Sequence, residues 1–147
     1  MNKLIFITGA SSGIGRALTI KFATNGWKVI AAARRFDLIK KIKINNTSLN
    51  TIIPIKLDIT NKKMVNTKIV SILKNYGVPD IVLLNAGTNN PNSKKIFSIE
   101  ETQQIFETNF FGTLNCLSVL LPFLKNKQES QVIFMSSVAG YRGLPYA

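Results

Sequence analysis

The sequence predicts an α/β fold in which a parallel sheet carries helices on both faces. Three observations predict it. Five short apolar runs alternate along the chain with four longer segments of helical periodicity. The runs are close to continuously apolar, as strands covered on both sides are. The first run ends at a cluster of three glycines from which a helix starts.

Lys3 to Thr8 reads as the first buried strand. Ile14 to Asn25 has helical spacing through Ile14, Leu18 and Phe22, and Gly26 stops it. Trp27 to Ala32 is the second strand, and Leu38, Ile39, Ile42 and Ile44 mark a short second helix. Thr51 to Leu57 is the third strand, and Pro54 within it argues for a sheet edge. Asn61 to Asn75 is the third helix, with Met64, Val65, Ile69 and Ile72/Leu73 on one face. Asp80 to Leu84 is the fourth strand, and Asn85 to Ser98 a polar loop. A long helix spans about Glu100 to Lys125, its apolar line running through Ile105, Phe106, Phe110, Leu114, Leu117, Leu121 and Leu124, with Pro122 near its end. Gln131 to Met135 is the fifth strand. Residues 1–147 form a single unit, without internal repeat or linker.

Composition narrows the function classes. A chain of 147 residues that is 46% hydrophobic is a folded domain, not a disordered one. No apolar run reaches the roughly 18 residues of a membrane span. The run Leu4 to Ile7 is too short for a secretory signal. The single cysteine, Cys116, cannot form an internal disulfide, which fits a reducing, cytoplasmic setting. The net charge of +12 comes from lysines scattered in several places, not from one basic block. That pattern reads as a bias toward Lys, Asn and Ile; neither a nucleic-acid nor a membrane partner is expected.

The glycine cluster is the most informative segment. Gly9, Gly13 and Gly15 lie between a buried strand and an amphipathic helix, the setting a dinucleotide turn requires. Gly9 lets the chain turn off the strand, Gly13 lets backbone approach a pyrophosphate, and Gly15 lets the helix pack close to the sheet. The helix N-terminus offers N–H groups to phosphate, and Ser11 and Ser12 add hydroxyls. The spacing does not match the triphosphate-binding pattern GxxxxGK[ST].

The run Thr8-Gly9-Ala10-Ser11-Ser12-Gly13-Ile14-Gly15 resembles the compact form of the short-chain dehydrogenase/reductase family. Leu57-Asp58, Asn85-Ala86-Gly87, Asn109 with Gly112, and Ser136-Ser137-Val138-Ala139-Gly140 agree with that family in order and spacing. The resemblance implies a Rossmann-type, doubly wound sheet of order 3-2-1-4-5-6-7, truncated here after the fifth strand. It also implies an oxidoreductase transferring hydride between NAD(P) and a small-molecule carbonyl or secondary alcohol.

At the end of the second strand the acidic slot that favours NAD holds Ala33, followed by Arg34 and Arg35. Guanidinium forks suit a 2′-phosphate, so NADP is expected over NAD, with Arg34 the main contact. A solvated strand end is the plainer reading of the two arginines. NADP-preferring relatives often carry a basic residue just before the second glycine, where this chain has Ser12. By resemblance Asp58 accepts a hydrogen bond from the adenine amino group with Ile59 beside the ring; otherwise Asp58 belongs to the N-terminal cap of the third helix. Asn85, Ala86 and Gly87 resemble the segment that lines the cofactor and steadies the central strand. Ile14 completes the turn.

The resemblance implies catalysis by Asn, Ser, Tyr and Lys. Asn109 matches the asparagine that holds a relay water, and Ser137 the serine that binds the substrate oxygen. The family's tyrosine, its phenol made more acidic by a lysine four positions later, comes about thirteen positions after the serine. Tyr141 and Tyr146 come too early, and neither is followed by that lysine. Tyr141 to Pro145 reads as the loop leading toward that motif. The expected protein is therefore an incomplete form of the enzyme, or an inactive NADP-binding or regulatory protein. The fifth strand would be left as an apolar edge. Relatives often pair through the long helix, so the parent is a candidate homo-oligomer.

Overall fold

Five parallel strands make one sheet in the order β3-β2-β1-β4-β5. They are β1 (Leu4–Thr8), β2 (Lys28–Ala33), β3 (Ile52–Lys56), β4 (Ile81–Leu84) and β5 (Gln131–Phe134). The structure is a computed structural model and describes residues 3–45, 51–89 and 98–142. Between the strands run α1 (Gly13–Thr24), α2 (Phe36–Asn45), α3 (Lys62–Tyr76), α4 (Ile99–Phe106) and α5 (Gly112–Leu124). The predicted α/β architecture and its helix and strand order hold. β3, the strand containing Pro54, lies at the sheet edge as expected. Tyr146, Pro145 and most of the loop before Ser98 lie outside the described residues.

β1 is buried on both faces, and strand pleating divides it between two cores. Leu4 and Phe6 join Val65, Ile69, Ile72 and Leu73 of α3 and Cys116, Leu120 and Leu124 of α5. Ile5 and Ile7 join Ala23 of α1 and Ile39 and Ile42 of α2 on the opposite face. Each such side chain stabilises the fold by about 1.5–3 kcal/mol on burial.

Two helix faces differ from the periodicity reading. In α1 the buried residues are Gly15, Thr19 and Ala23, with Ile14 57% exposed. Helix α1 approaches the sheet through its small residues, which leaves Ile14 at the surface. The predicted long helix is one helical run interrupted by a π turn at Glu107–Phe111, and it continues through Pro122 to Leu124. Phe106, Phe110, Leu114 and Leu121 of the predicted inward line are exposed. The inward line is Thr108, Gly112, Cys116, Leu120 and Leu124. Size, not hydrophobicity, selects it: a Cβ on Gly112 would stand 2.7 Å from the Ile59 side chain. β5 is the other edge of the sheet, the apolar edge expected of the fifth strand, with Phe134 and the adjoining Met135 exposed.

At the N-terminal ends of the strands Asp80 holds the sheet together. Its carboxylate accepts from the Leu4 backbone N–H (2.6 Å) and pairs with the Lys127 ammonium (2.7 Å), which also donates to the Val78 carbonyl. Partial burial opposes ionisation of Asp80, but the Leu4 N–H and Lys127 outweigh it and hold the carboxyl below its usual range. A depressed folded-state pKa contributes stability above the unfolded value and loses it as pH falls. Asp80→Asn is therefore expected to lower the thermal midpoint at pH 7, and its difference from the parent chain should narrow as the pH falls below about 4. Melting curves at pH 7 and pH 3 check this.

Burial pushes the Cys116 thiol up to about 12. A neutral, enclosed thiol does not react as a thiolate does. Labelling by a thiol reagent at pH 8 should follow global unfolding, and rapid labelling of the native chain would contradict this packing.

Candidate functional site

All five strands point their C-terminal ends at one crevice. There the sheet order reverses, since β1 has β2 on one side and β4 on the other. Open α/β sheets bind ligands at such a switch point.

The crevice is shaped by a tie between the ends of β1 and β4. The buried Thr8 hydroxyl accepts from the backbone N–H groups of Asn85 and Ala86, both at 3.0 Å. The Asn85 side-chain amide donates back to the Thr8 carbonyl at 3.1 Å. Gly9 turns the chain away at φ +69°, where a Cβ would lie 2.8 Å from the Ala86 Cα. Gly15 sits beneath the turn, its α-carbon so near the Gly9 carbonyl and the Asn85 amide that a side chain cannot fit. Gly13 is different: at φ +52° it has nothing within 4 Å of its Cβ position. The first and third glycines meet protein, and the middle one faces open space.

That space is a cavity of about 640 Å³. Gly9, Ser11, Ser12, Gly13 and Ile14 line it from the turn, and Arg34 and Arg35 from the end of β2. Asp58 and Ile59 line it from the segment after β3, and Asn85, Ala86 and Gly87 from that after β4. Of the predicted cofactor residues only Gly15 is not in the lining, and it acts through packing instead. Ile14, expected to complete the turn, has its exposed side chain at this cavity.

The electrostatics favour an anion. Helix α1 begins here without an acidic residue in its first turn, and the Ser12 side chain makes no capping bond to it. Its first N–H groups and positive dipole end therefore face the cavity. The described residues hold one ion pair, Lys127–Asp80, so neither Arg34 nor Arg35 is neutralised by a carboxylate among them. Arg35 donates to the Ser12 hydroxyl at 2.6 Å.

Asp58 does not cap α3. That position belongs to Asn61, whose side chain accepts from the Met64 N–H. Asp58 instead accepts from the Thr60 N–H and hydroxyl, which fixes its carboxylate at the cavity edge.

A second cavity, of about 670 Å³, adjoins the first across Asn85, Ala86, Gly87 and Met135. It brings Asn109 and Ser137 together. Asn109 lies in the π turn, and such turns recur at functional sites. Its amide oxygen accepts from the Thr88 N–H (2.7 Å) and its amide nitrogen donates to the Thr88 carbonyl (2.9 Å). The expectation of a water-holding asparagine thus meets an asparagine that clamps the loop after β4. Ser137 starts a short 3₁₀ turn, Val138–Gly140, and its hydroxyl accepts from the Ala139 N–H at 3.2 Å. The hydroxyl proton remains available to a substrate oxygen. Tyr141 is 96% exposed and lines neither cavity.

Sequence reasoning missed Thr108 and Met135, which line the first cavity, and the tie that Thr8, within the glycine motif, makes to the end of β4. A threonine ending an apolar strand carries no signal until its N–H partners, 77 and 78 residues away, are known.

Residues 3–147 match the family model of the short chain dehydrogenases. The chain belongs to this family. Short-chain dehydrogenase relatives include an uncharacterised oxidoreductase of Listeria innocua, 37% identical over 98% of this chain and 58% of the relative. An NADPH-dependent pterin aldehyde reductase of Arabidopsis thaliana is 32% identical over 96% of this chain and 59% of its own length. Among solved structures, ElxO with NADP bound superposes with a TM-score of 0.90 at 28% identity, covering 99% of this chain and 60% of that one. An alcohol dehydrogenase of the archaeon Thermococcus sibiricus, complexed with 5-hydroxy-NADP, gives 0.89 at 28% identity, over 99% and 63%. This short-chain dehydrogenase chain spans about three fifths of the length of the relatives it matches.

The glycines separate by mechanism. Gly15→Ala should cost about 1–3 kcal/mol through overpacking against the Gly9 carbonyl. Gly13→Ala should cost about 1–2 kcal/mol, from left-handed strain alone. Urea denaturation of the two variants measures both.

Proposed function

We propose that this chain is the cofactor-binding part of an NADP(H)-dependent oxidoreductase acting on a carbonyl or secondary alcohol. The observation that carries the reading is the first cavity, which joins an uncapped helix N-terminus to two guanidinium groups without carboxylate partners among the described residues. These residues fit a dinucleotide with a phosphorylated ribose. Gly13 and the first N–H groups of α1 would hold the pyrophosphate, and Arg34 and Arg35 the 2′-phosphate. Asp58 and Ile59 would flank the adenine, with Asn85, Ala86 and Gly87 along the ribose. The bound cofactor would supply or accept the hydride.

The protein's own chemistry belongs to the second cavity. Ser137 would donate its hydroxyl proton to the substrate oxygen. Asn109 would keep the Thr88 loop in place and leave the space between the cavities open. The chain presents no tyrosine followed four positions later by lysine, so the general acid is not among these residues. On this reading the 147-residue chain binds cofactor without turning it over.

The relatives support the cofactor half of the proposal: two of the similar solved structures are described with NADP or 5-hydroxy-NADP, and one relative is named as NADPH-dependent. NADPH should bind the chain more tightly than NADH in a fluorescence titration. Arg34→Ala should reduce NADPH affinity about tenfold, as expected for one charge-assisted hydrogen bond, and change NADH affinity little. Tighter binding of NADH by the parent chain would overturn the NADP reading.

A further inference from the structure

We propose that Ser12 is a positioning residue for 2′-phosphate recognition, acting by holding Arg35 across the mouth of the glycine turn. The inference rests on the NADP reading above and adds a residue whose contribution is separate from that of Arg34.

Three observations carry it. Ser12 occupies the N-cap position of α1 with extended backbone, where a serine normally accepts a hydrogen bond from an N–H of the first turn. It makes no such bond. Its oxygen instead accepts from the Arg35 guanidinium at 2.6 Å, a partner 23 residues away on the connection between β2 and α2. Both side chains are exposed and line the same cavity as Arg34 and Gly13.

The consequences follow from the donor inventory. A guanidinium only donates, so the Ser12 oxygen must be the acceptor and its own proton is free to point elsewhere. Arg35 uses one N–H on Ser12 and keeps its others for an anion. The pair therefore offers the cavity the Ser12 O–H and the remaining Arg35 N–H groups as donors. A long side chain loses rotamer freedom when it is fixed, and Ser12 does part of that fixing before any ligand arrives. Moving the hydroxyl onto Arg35 also leaves the first N–H groups of α1 unoccupied at the place proposed for the pyrophosphate. One residue thus serves two phosphate positions, one through what it holds and the other through what it leaves free. Arg34 has no comparable tether among the described residues.

The test compares binding of 2′,5′-ADP and 5′-AMP to the chain by isothermal titration, since the two probes differ only in the 2′-phosphate. Ser12→Ala is expected to weaken 2′,5′-ADP about fivefold and 5′-AMP less than twofold, the size of one lost neutral-acceptor hydrogen bond. Ser12→Thr should retain the parent values. Arg35→Ala should weaken 2′,5′-ADP up to about tenfold. Ser12→Asp should bring the two affinities close together, because its carboxylate neutralises Arg35 and repels the phosphate. The thermal midpoint of Ser12→Ala should match the parent's, since no helix cap is removed.

Equal weakening of both probes by Ser12→Ala, or a fall in its midpoint, would assign Ser12 to the turn and overturn the proposal. So would an unchanged preference in Ser12→Ala alongside a collapse in Arg35→Ala. If the parent chain shows no preference for 2′,5′-ADP, the NADP reading fails as well.

Discussion

The site depends on the tie between Thr8 and Asn85. A parallel sheet leaves backbone groups unpaired where strands end and chains diverge, and a buried unpaired N–H costs about 1–3 kcal/mol. Here the Thr8 hydroxyl takes the N–H groups of both Asn85 and Ala86, and the Asn85 amide returns a bond to the Thr8 carbonyl. These bonds fix the separation of β1 and β4 beyond their last ladder pair, Ile7 with Leu83. Gly9 and Gly15 are then compulsory, because the same Asn85 amide stands where their side chains would be. The crevice is the space left when two strand ends are locked together while their chains turn to opposite faces of the sheet.

The polar loops around the crevice repeat this device. Asn109 clamps Thr88, and Asn115 donates to the Ile59 carbonyl at 3.0 Å, tying α5 to the segment after β3. Asp58 orders its own turn through Thr60. Each is a short side chain satisfying backbone groups that regular structure leaves open. The result is a rim held by side-chain amides and carboxylates, while the cavity-facing groups of the glycine turn and the two arginines remain largely unpaired among the described residues. A rim that is satisfied and a centre that is not is the arrangement expected of a preorganised anion site.

Much of this was legible in the sequence because it depends on local pattern. Strand runs, helix periods and glycine spacing gave the element order, the edge position of β3 and the glycine-turn wall of the cavity, while Asp58, Ile59 and Asn85 to Gly87 came from the family resemblance. The errors share a cause. The line Phe106, Phe110, Leu114 and Leu121 was assigned inward on hydrophobicity, yet the helices approach through Gly15, Thr19, Gly112 and Cys116. Close approach selects small residues, and a hydrophobic period does not register size. The side-chain ties were not legible at all. Thr8 with Asn85, Asn109 with Thr88 and Ser12 with Arg35 join residues 21 to 77 positions apart, and only the fold brings them together.

Charge adds a final layer that becomes visible when the sequence is divided along the fold. Lysines scattered along the chain look like compositional bias. Yet residues 1–45, which hold β1, α1, β2 and α2, carry nine basic side chains against the single acid Asp37, +8 of the net +12. The glycine turn and both arginines lie in this stretch. Within a Debye length of about 8 Å at physiological salt, only the nearest of these charges act on a bound group. Farther from the site, the excess would act on encounter instead: on the proposed reading it would draw a polyanionic cofactor toward the half of the molecule that holds the glycine turn. Affinity and approach thus have different owners. On the proposed reading the turn, Ser12, Arg34 and Arg35 would provide directed bonds, and Arg16, Lys21, Lys40, Lys41 and Lys43 a field. Neutralising those outlying charges acts on the association rate and its salt dependence, and leaves the directed bonds at the turn intact.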